Sequence, residues 1–255
     1  MSSDTTKLSA AEMDDTRLAQ VVITNTVEQV AHLIDAGFDA RQVTSQGLSL
    51  LHLTVLALDH PEMVSLLLGH GVGIERRNKG GGTPLTTAIQ SNHAASVRTL
   101  LVHGADPDAP GNSDRLPLHF ALEHDSLAPV LRALLQAGAS LERFKSVSGF
   151  PALHHCVERG NHAALMVLLE FGQDPRARNA KTGENALAYA ERLHLQYKGP
   201  YSPGGHNPPC GSKGTRQIVT SLQAWMDCQA ANDAIEEATA GQQNKASHAP
   251  RSVRP

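Results

Sequence analysis

Aromatic side chains are scarce in this sequence: Phe, Tyr and Trp make up 4% of 255 residues, with a single Trp. A core built from so few rings must rest on Leu, Val and Ala, and Leu and Ala lose little on entering a helix. Cysteine is equally thin. Cys156, Cys210 and Cys228 are an odd, widely spaced set, which excludes a disulfide framework and fits a reducing compartment. No apolar run reaches the length of a membrane span. Residues 1–15 are polar and lack the apolar stretch of a secretory signal, so the expected location is cytoplasmic. Neither sign of charge dominates, with 22 basic against 25 acidic residues and a net charge of −3. That balance gives no electrostatic case for nucleic acid or an anionic membrane as partner.

What the sequence does have is repetition. Ser49-Leu50-Leu51-His52, Thr83-Pro84-Leu85-Thr86, Leu116-Pro117-Leu118-His119, Pro151-Ala152-Leu153-His154 and Asn185-Ala186-Leu187-Ala188 align on their third residue, at intervals of 34, 33, 35 and 34. A second marker trails four of these copies. It reads Leu67-Leu68-Gly69-His70-Gly71, Leu100-Leu101-Val102-His103-Gly104-Ala105-Asp106, Leu134-Leu135-Gln136-Ala137-Gly138-Ala139 and Leu168-Leu169-Glu170-Phe171-Gly172-Gln173-Asp174. Leu33-Ile34-Asp35-Ala36-Gly37-Phe38-Asp39 is an earlier copy, so a degenerate repeat precedes the first clear one. A period of this length marks a stacked-repeat architecture, in which one unit cannot bury its own apolar face.

Each unit has a physical reading. Ser49 and Thr83 are suited to cap a helix, with Pro84 at its first position. Small residues such as Ala88 and Ala121 let neighbouring repeats approach, and Val97, Leu100 and Leu101 give the next helix an apolar face. Gly104 and Gly172 end that helix in a left-handed cap, and Asp106-Pro107 and Asp174-Pro175 turn the chain.

These motifs resemble the ankyrin-repeat family, whose pattern is Gly-x-Thr-Pro-Leu-His-x-Ala followed by a helix ending Leu-Leu-x-x-Gly-Ala-Asp. The resemblance covers residues 16–195. It implies an all-α solenoid of stacked helix-turn-helix units with projecting β-hairpin loops, outlined like a cupped hand. It also implies that His52, His119 and His154, at the motif's fourth position, are structural and bridge neighbouring repeats. The sequence departs from the pattern at Leu50, where Pro is usual, in an extra residue around Asp59 to Pro61, and at Pro151, one position early.

The ends differ from the middle. Residues 1–15 read as a disordered tail and 16–195 as the repeats. Residues 196–214, rich in Gly and Pro, form an inserted loop. Residues 215–240 read as a capping helix with Ile218, Val219, Leu222, Trp225 and Met226 at helical spacing, the second helix of a final repeat. Residues 241–255 have the composition of a disordered tail.

Candidate chemistry is sparse. His154, His155 and His162 resemble a ligand set, but His155 and His162 belong to different helices, and no zinc-like Cys/His spacing occurs. His206 and Cys210 lack a third partner for nucleophilic catalysis. Gly211-Ser212-Lys213-Gly214 fails the phosphate-loop spacing, and no strand precedes Gly80-Gly81-Gly82. Cys156 sits at an Ala-type position and reads as a small buried hydrophobe. An enzyme working through the inserted loop has no constellation behind it, and no cofactor or metal is expected.

The positions with least structural duty are the hairpin tips and the inner helix face. The register places Arg76, Arg77, Asn78 and Lys79 at one tip, Asn112 to Arg115 at the next, then Arg143, Phe144 and Lys145, then Arg178 and Lys181. Gln90, Ser91, Glu123, His124, Glu158 and Arg159 fall on the inner face. Phe144 and Phe150 read as surface aromatics, the usual anchors of an interface together with Arg. The expected function is therefore a non-enzymatic, monomeric protein that binds a protein partner through these residues. Arg outnumbers Lys by 15 to 7, which fits a GC-rich bacterial source. Bacterial ankyrin proteins of this size include antidotes and effectors, which implies a masking role. The alternative is an adaptor with one partner on the repeats and another on the tail helix.

Overall fold

The structure is a computed structural model that describes residues 15–144, 149–196 and 212–247, with backbone alone at 212–213 and 235–247. Lys145, His206, Cys210 and the two terminal tails proper (1–14 and 248–255) lie outside the described residues. Among the described residues the chain forms helices α1 (Asp15–Thr24), α2 (Val27–Asp35), α3 (Leu50–Ala57), α4 (Pro61–Gly69), α5 (Pro84–Gln90), α6 (Ala94–Val102), α7 (Pro117–Ala121), α8 (Ala128–Gln136), α9 (Ala152–Arg159), α10 (His162–Glu170), α11 (Ala186–Gln196) and α12 (Ser212–Ser247). The architecture is an all-α solenoid in two layers. In the inner layer α1 packs on α3, α3 on α5, α5 on α7 and α9 on α11. In the outer layer α2, α4, α6, α8, α10 and α12 follow one another, and the core lies between the layers.

The first motif is a helix start. The Ser49 hydroxyl accepts the His52 N–H, and Thr83 does the same for Thr86 at 3.2 Å. Each hydroxyl satisfies an amide that the helix cannot. Thr26 and Gln29 make the full reciprocal box ahead of α2, with the Thr26 N–H donating to Gln29 Oε1 at 2.8 Å. The second motif is a helix stop. Gly104 (φ 92°) enters the left-handed region, and the Ala105 N–H closes back on the Leu100 carbonyl at 3.0 Å. Gly172 (φ 79°) ends α10 in the same way, with Gln173 bonded to Leu168. Leu100 and Ala105 are both buried, so the marker is a hydrogen-bonded cap with its own apolar clasp.

The motif histidines join one repeat to the next. His52 Nδ1 accepts the Ser49 N–H at 3.2 Å, which leaves Nε2–H to donate to the Gly82 carbonyl at 3.0 Å. His154 Nε2 donates likewise to the Glu184 carbonyl at 3.0 Å. The extra residue near Asp59 also has a use. Its carboxylate accepts the N–H groups of Ala95 and Ser96 and the Ser96 hydroxyl, capping α6 of the following repeat, whose own N-cap His93 makes no side-chain cap.

The projecting loops are hairpin turns. Asn78 N–H bonds to the Gly82 carbonyl, Gly111 to Arg115 and Asn179 to Glu184, and Lys79 N–H reaches the preceding loop at Gln46. Among the described residues the pairing goes no further than one isolated bridge, Val43 with Ser49.

Helix α12 starts three residues ahead of Thr215 and runs past Gly241, where composition predicts the tail to begin. Thr215, Ile218 and Leu222 are buried, and Val219 and Trp225 pack on the core. His162 Nε2 meets the Ser221 hydroxyl at 2.8 Å and Arg176 pairs with Asp233 at 3.3 Å, fixing α12 beside α10.

Candidate partner-binding surface

One position recurs along the inner layer with its side chain at least partly exposed. It lies five residues after Leu18, Leu51, Leu85, Leu118, Leu153 and Leu187, and holds Ile23, Leu56, Gln90, Glu123, Glu158 and Arg192 in turn. Because successive inner helices stack on one another, these positions follow along the inner layer. The row changes character along its length. Ile23 and Leu56 are 49% and 54% exposed, Gln90 is polar, and the last three are charged. Gln90, Glu123 and Glu158 were expected from the motif register, with Ser91, His124 and Arg159 following them. Ile23 and Leu56 were not, because an apolar residue inside a short helix reads as core, and Arg192 was not either. The fixed five-residue offset from the motif Leu is the signal that finds them.

The tips separate into free and committed residues. Arg77 and Lys79 are exposed, while Asn78 Oδ1 accepts the Gly82 N–H at 3.0 Å and so holds its own turn closed. Asn112 lies across the preceding loop, where a Cβ on Gly82 would stand 2.4 Å from its amide oxygen. Arg115 pairs with Glu123 and covers the Phe120 ring at 4.5 Å. Arg143 pairs with Asp108 at 3.3 Å, and Arg178 donates to the Gly183 carbonyl at 2.9 Å. Lys181 is exposed and its ammonium lies over Gly149. His124 and Arg159 are exposed, and Ser91 and Glu158 are half-buried.

Phe144 is not a surface anchor. It is 4% exposed, with its ring 4.7 Å from that of His119 on α7 and 5.6 Å from that of His155 on α9. The ring is interposed between two inner helices, because an apolar side chain at the end of this turn gains more by leaving water than by staying in it. Phe150 is half-buried, edge-on to Tyr189 at 5.4 Å and tilted toward His154. Neither ring stands out from the surface in the way expected of an interface anchor.

Burial sets the local ionisation. Desolvation lowers the pKa of His155 to about 4, with Arg159 adding to the effect, and lowers those of His52 and His154. The same desolvation pushes the Cys156 thiol up, away from the reactive thiolate. Hydrogen bonds from Arg192 hold the Glu184 carboxyl below its usual value. Among the described residues no group of three His, Cys, Asp or Glu side chains is placed to hold a metal ion. No helix there is long and apolar enough to cross a membrane.

A family model of ankyrin repeats matches residues 18–111 in three copies. The crystal structure of the ankyrin repeat domain of Bcl-3, a member of the IκB protein family, superimposes with a TM-score of 0.57. It is 31% identical, over 68% of this chain and 76% of that one. The chain belongs to the ankyrin-repeat family. Among curated ankyrin relatives, the mouse B-cell lymphoma 3 protein homolog is 33% identical over 68% of this chain and 40% of its own length. The chicken nuclear factor NF-κB p105 subunit is 29% identical over 66% of this chain and 17% of its own length. The chain thus spans less than half the length of these relatives. Ankyrin repeats are protein-interaction modules.

Proposed function

We propose that this ankyrin chain is a non-enzymatic protein that grips one protein partner across several repeats, using the inner row and the hairpin tips. The observation that carries the reading is the inner row itself, in which six successive repeats keep one partly exposed position while varying its chemistry from Ile23 to Arg192. A rigid frame with a graded face selects a partner by pattern, and little ordering cost accompanies binding. The residues that invite a catalytic reading have structural duties instead: His52 and His154 bridge repeats and Cys156 is core. Binding of this kind masks the partner's surface, which is the antidote-like or effector-like role, carried out by a monomer in the reducing cytoplasm. Capture of the partner by the tagged full chain should be lost with Leu56→Asp and Gln90→Arg on the inner row. It should persist with Arg98→Glu on the outer layer. Loss in the outer-layer variant alone overturns the reading.

An adaptor role has one specific observation in its favour: α12 is 36 residues long, against 5 to 11 for the other helices. Truncation after Ala234 keeps the packed part of α12. A second partner lost on that truncation, with the first retained, supports two separate sites.

A further inference from the structure

The cations of this surface fall into two groups. Arg115, Arg143, Arg176 and Arg192 are ion-paired within the chain, to Glu123, Asp108, Asp233 and Glu184, and Arg178 is bonded to a carbonyl. Arg41, Arg76, Arg77 and Lys79 are all exposed, and none makes an ion pair or a side-chain hydrogen bond among the described residues. They stand on two adjacent loops, tied together by the bond from Lys79 N–H to the Gln46 carbonyl, and the Arg41 guanidinium reaches over Gly71.

Among the described residues, the carboxylates near these four bond to backbone amides and a hydroxyl and not to the cationic side chains. Asp15 accepts both the N–H and the hydroxyl of Ser45, Asp39 accepts the Arg41 N–H, and Glu75 accepts the Asp106 N–H at 2.8 Å. Asp15 is near enough to Lys79 to feel its charge, but its hydrogen bonds go to Ser45. The guanidinium groups keep their full donor sets for an outside anion, and three of the four cations are Arg, whose planar fork matches a carboxylate.

We infer that Arg41, Arg76, Arg77 and Lys79 are the docking point for an acidic peptide segment of the protein partner, an inference that rests on the protein-binding reading of this surface. An acidic peptide fits better than nucleic acid. Asp15, Asp39 and Glu75 are interspersed with the cations, and the whole chain carries a net charge of −3. A peptide can space its carboxylates between those acids, whereas a continuous polyphosphate meets all of them. The ion-paired cations of the later repeats are neutralised internally, so the densest group of unpaired cations among the described residues stands on the amino-terminal loops.

The test is fluorescence anisotropy with the full chain. The probes are a fluorescein-labelled peptide of alternating Glu and Ser, its Gln-for-Glu counterpart, and an oligothymidylate of equal charge. The Glu peptide should bind, the Gln peptide should not, and added salt should weaken binding. The variant Arg76→Glu/Arg77→Glu/Lys79→Glu should weaken it at least about tenfold at low salt, and Arg143→Glu/Arg178→Glu by less than about twofold. These side chains hold nothing internally, so the triple variant should melt within about 2 °C of the parent. No binding of the Glu peptide, equal loss in both variants, or tighter binding of the oligothymidylate overturns the inference. The same triple variant in the capture experiment separates the two readings. A partner retained by it but lost with Leu56→Asp overturns the acidic segment and leaves the inner row standing. A partner retained by both overturns both.

Discussion

Pro151 stands where His154 needs a backbone N–H. In the first clear repeat the Ser49 amide donates to His52 Nδ1, and in the third the Leu116 amide donates to His119 Nδ1 at 3.0 Å. Proline has no such hydrogen. His154 Nδ1 is buried without a hydrogen-bond partner among the described residues, although Nε2 on the same ring still bridges to Glu184. Replacing Pro151 with Thr supplies both the missing donor and a capping hydroxyl for α9. Stability should rise by about 1 kcal/mol, read as a higher urea midpoint. A lower midpoint would mean that the rigidity of Pro151 outweighs the recovered bonds.

Phe144 fills the space between α7 and α9, so Phe144→Ala removes a buried ring and leaves a cavity. The expected cost is about 3 kcal/mol in chemical denaturation. A surface anchor would behave in the opposite way, weakening capture of the partner with an unchanged denaturation curve.

His155 makes stability depend on pH. Its folded pKa of about 4 lies below the unfolded value, because the ring is buried with Nδ1 unbonded and faces Arg159, Arg115 and His119. Glu123 and Glu158 oppose this only in part. Between pH 6.5 and about 4 the unfolded chain therefore carries a proton that the folded chain does not, and stability falls as pH falls through this window. From pH 7 to 5 the loss from this residue should be about 2 kcal/mol, and the lowered values of His52 and His154 act in the same direction. In His155→Leu the difference between urea midpoints at the two pH values should shrink. An unchanged difference would assign the pH dependence to other groups.

Asp59 caps a helix in the next repeat. Burial raises its pKa, but the bonds from Ser96 and Ala95 outweigh that and leave it lowered. Asp59→Ala should cost about 1–2 kcal/mol and lower the thermal midpoint. Asp125, which accepts the Ala163 N–H ahead of α10, makes a single such bond and should cost less when replaced by Ala. Equal losses would show that the number of amides capped does not set the effect.

Contacts that close within a few residues can be read from the order of residues alone. The cap at Ser49 reaches three residues to His52, and the stop at Gly104 reaches from Ala105 back to Leu100. Such contacts are written into the local order of donors, acceptors and left-handed glycines, and their recurrence made the stacked solenoid legible. Tertiary structure decided what depends on partners brought in from another repeat. It placed Phe144 against His155, set Asp59 on α6, and joined Arg143 to Asp108 while leaving Arg77 and Lys79 without an ion pair among the described residues. All the tip cations look alike in sequence. Which of them keep their charge for a partner depends on whether a carboxylate 8 to 60 residues away is folded to within 4 Å, and local pattern carries no record of that distance.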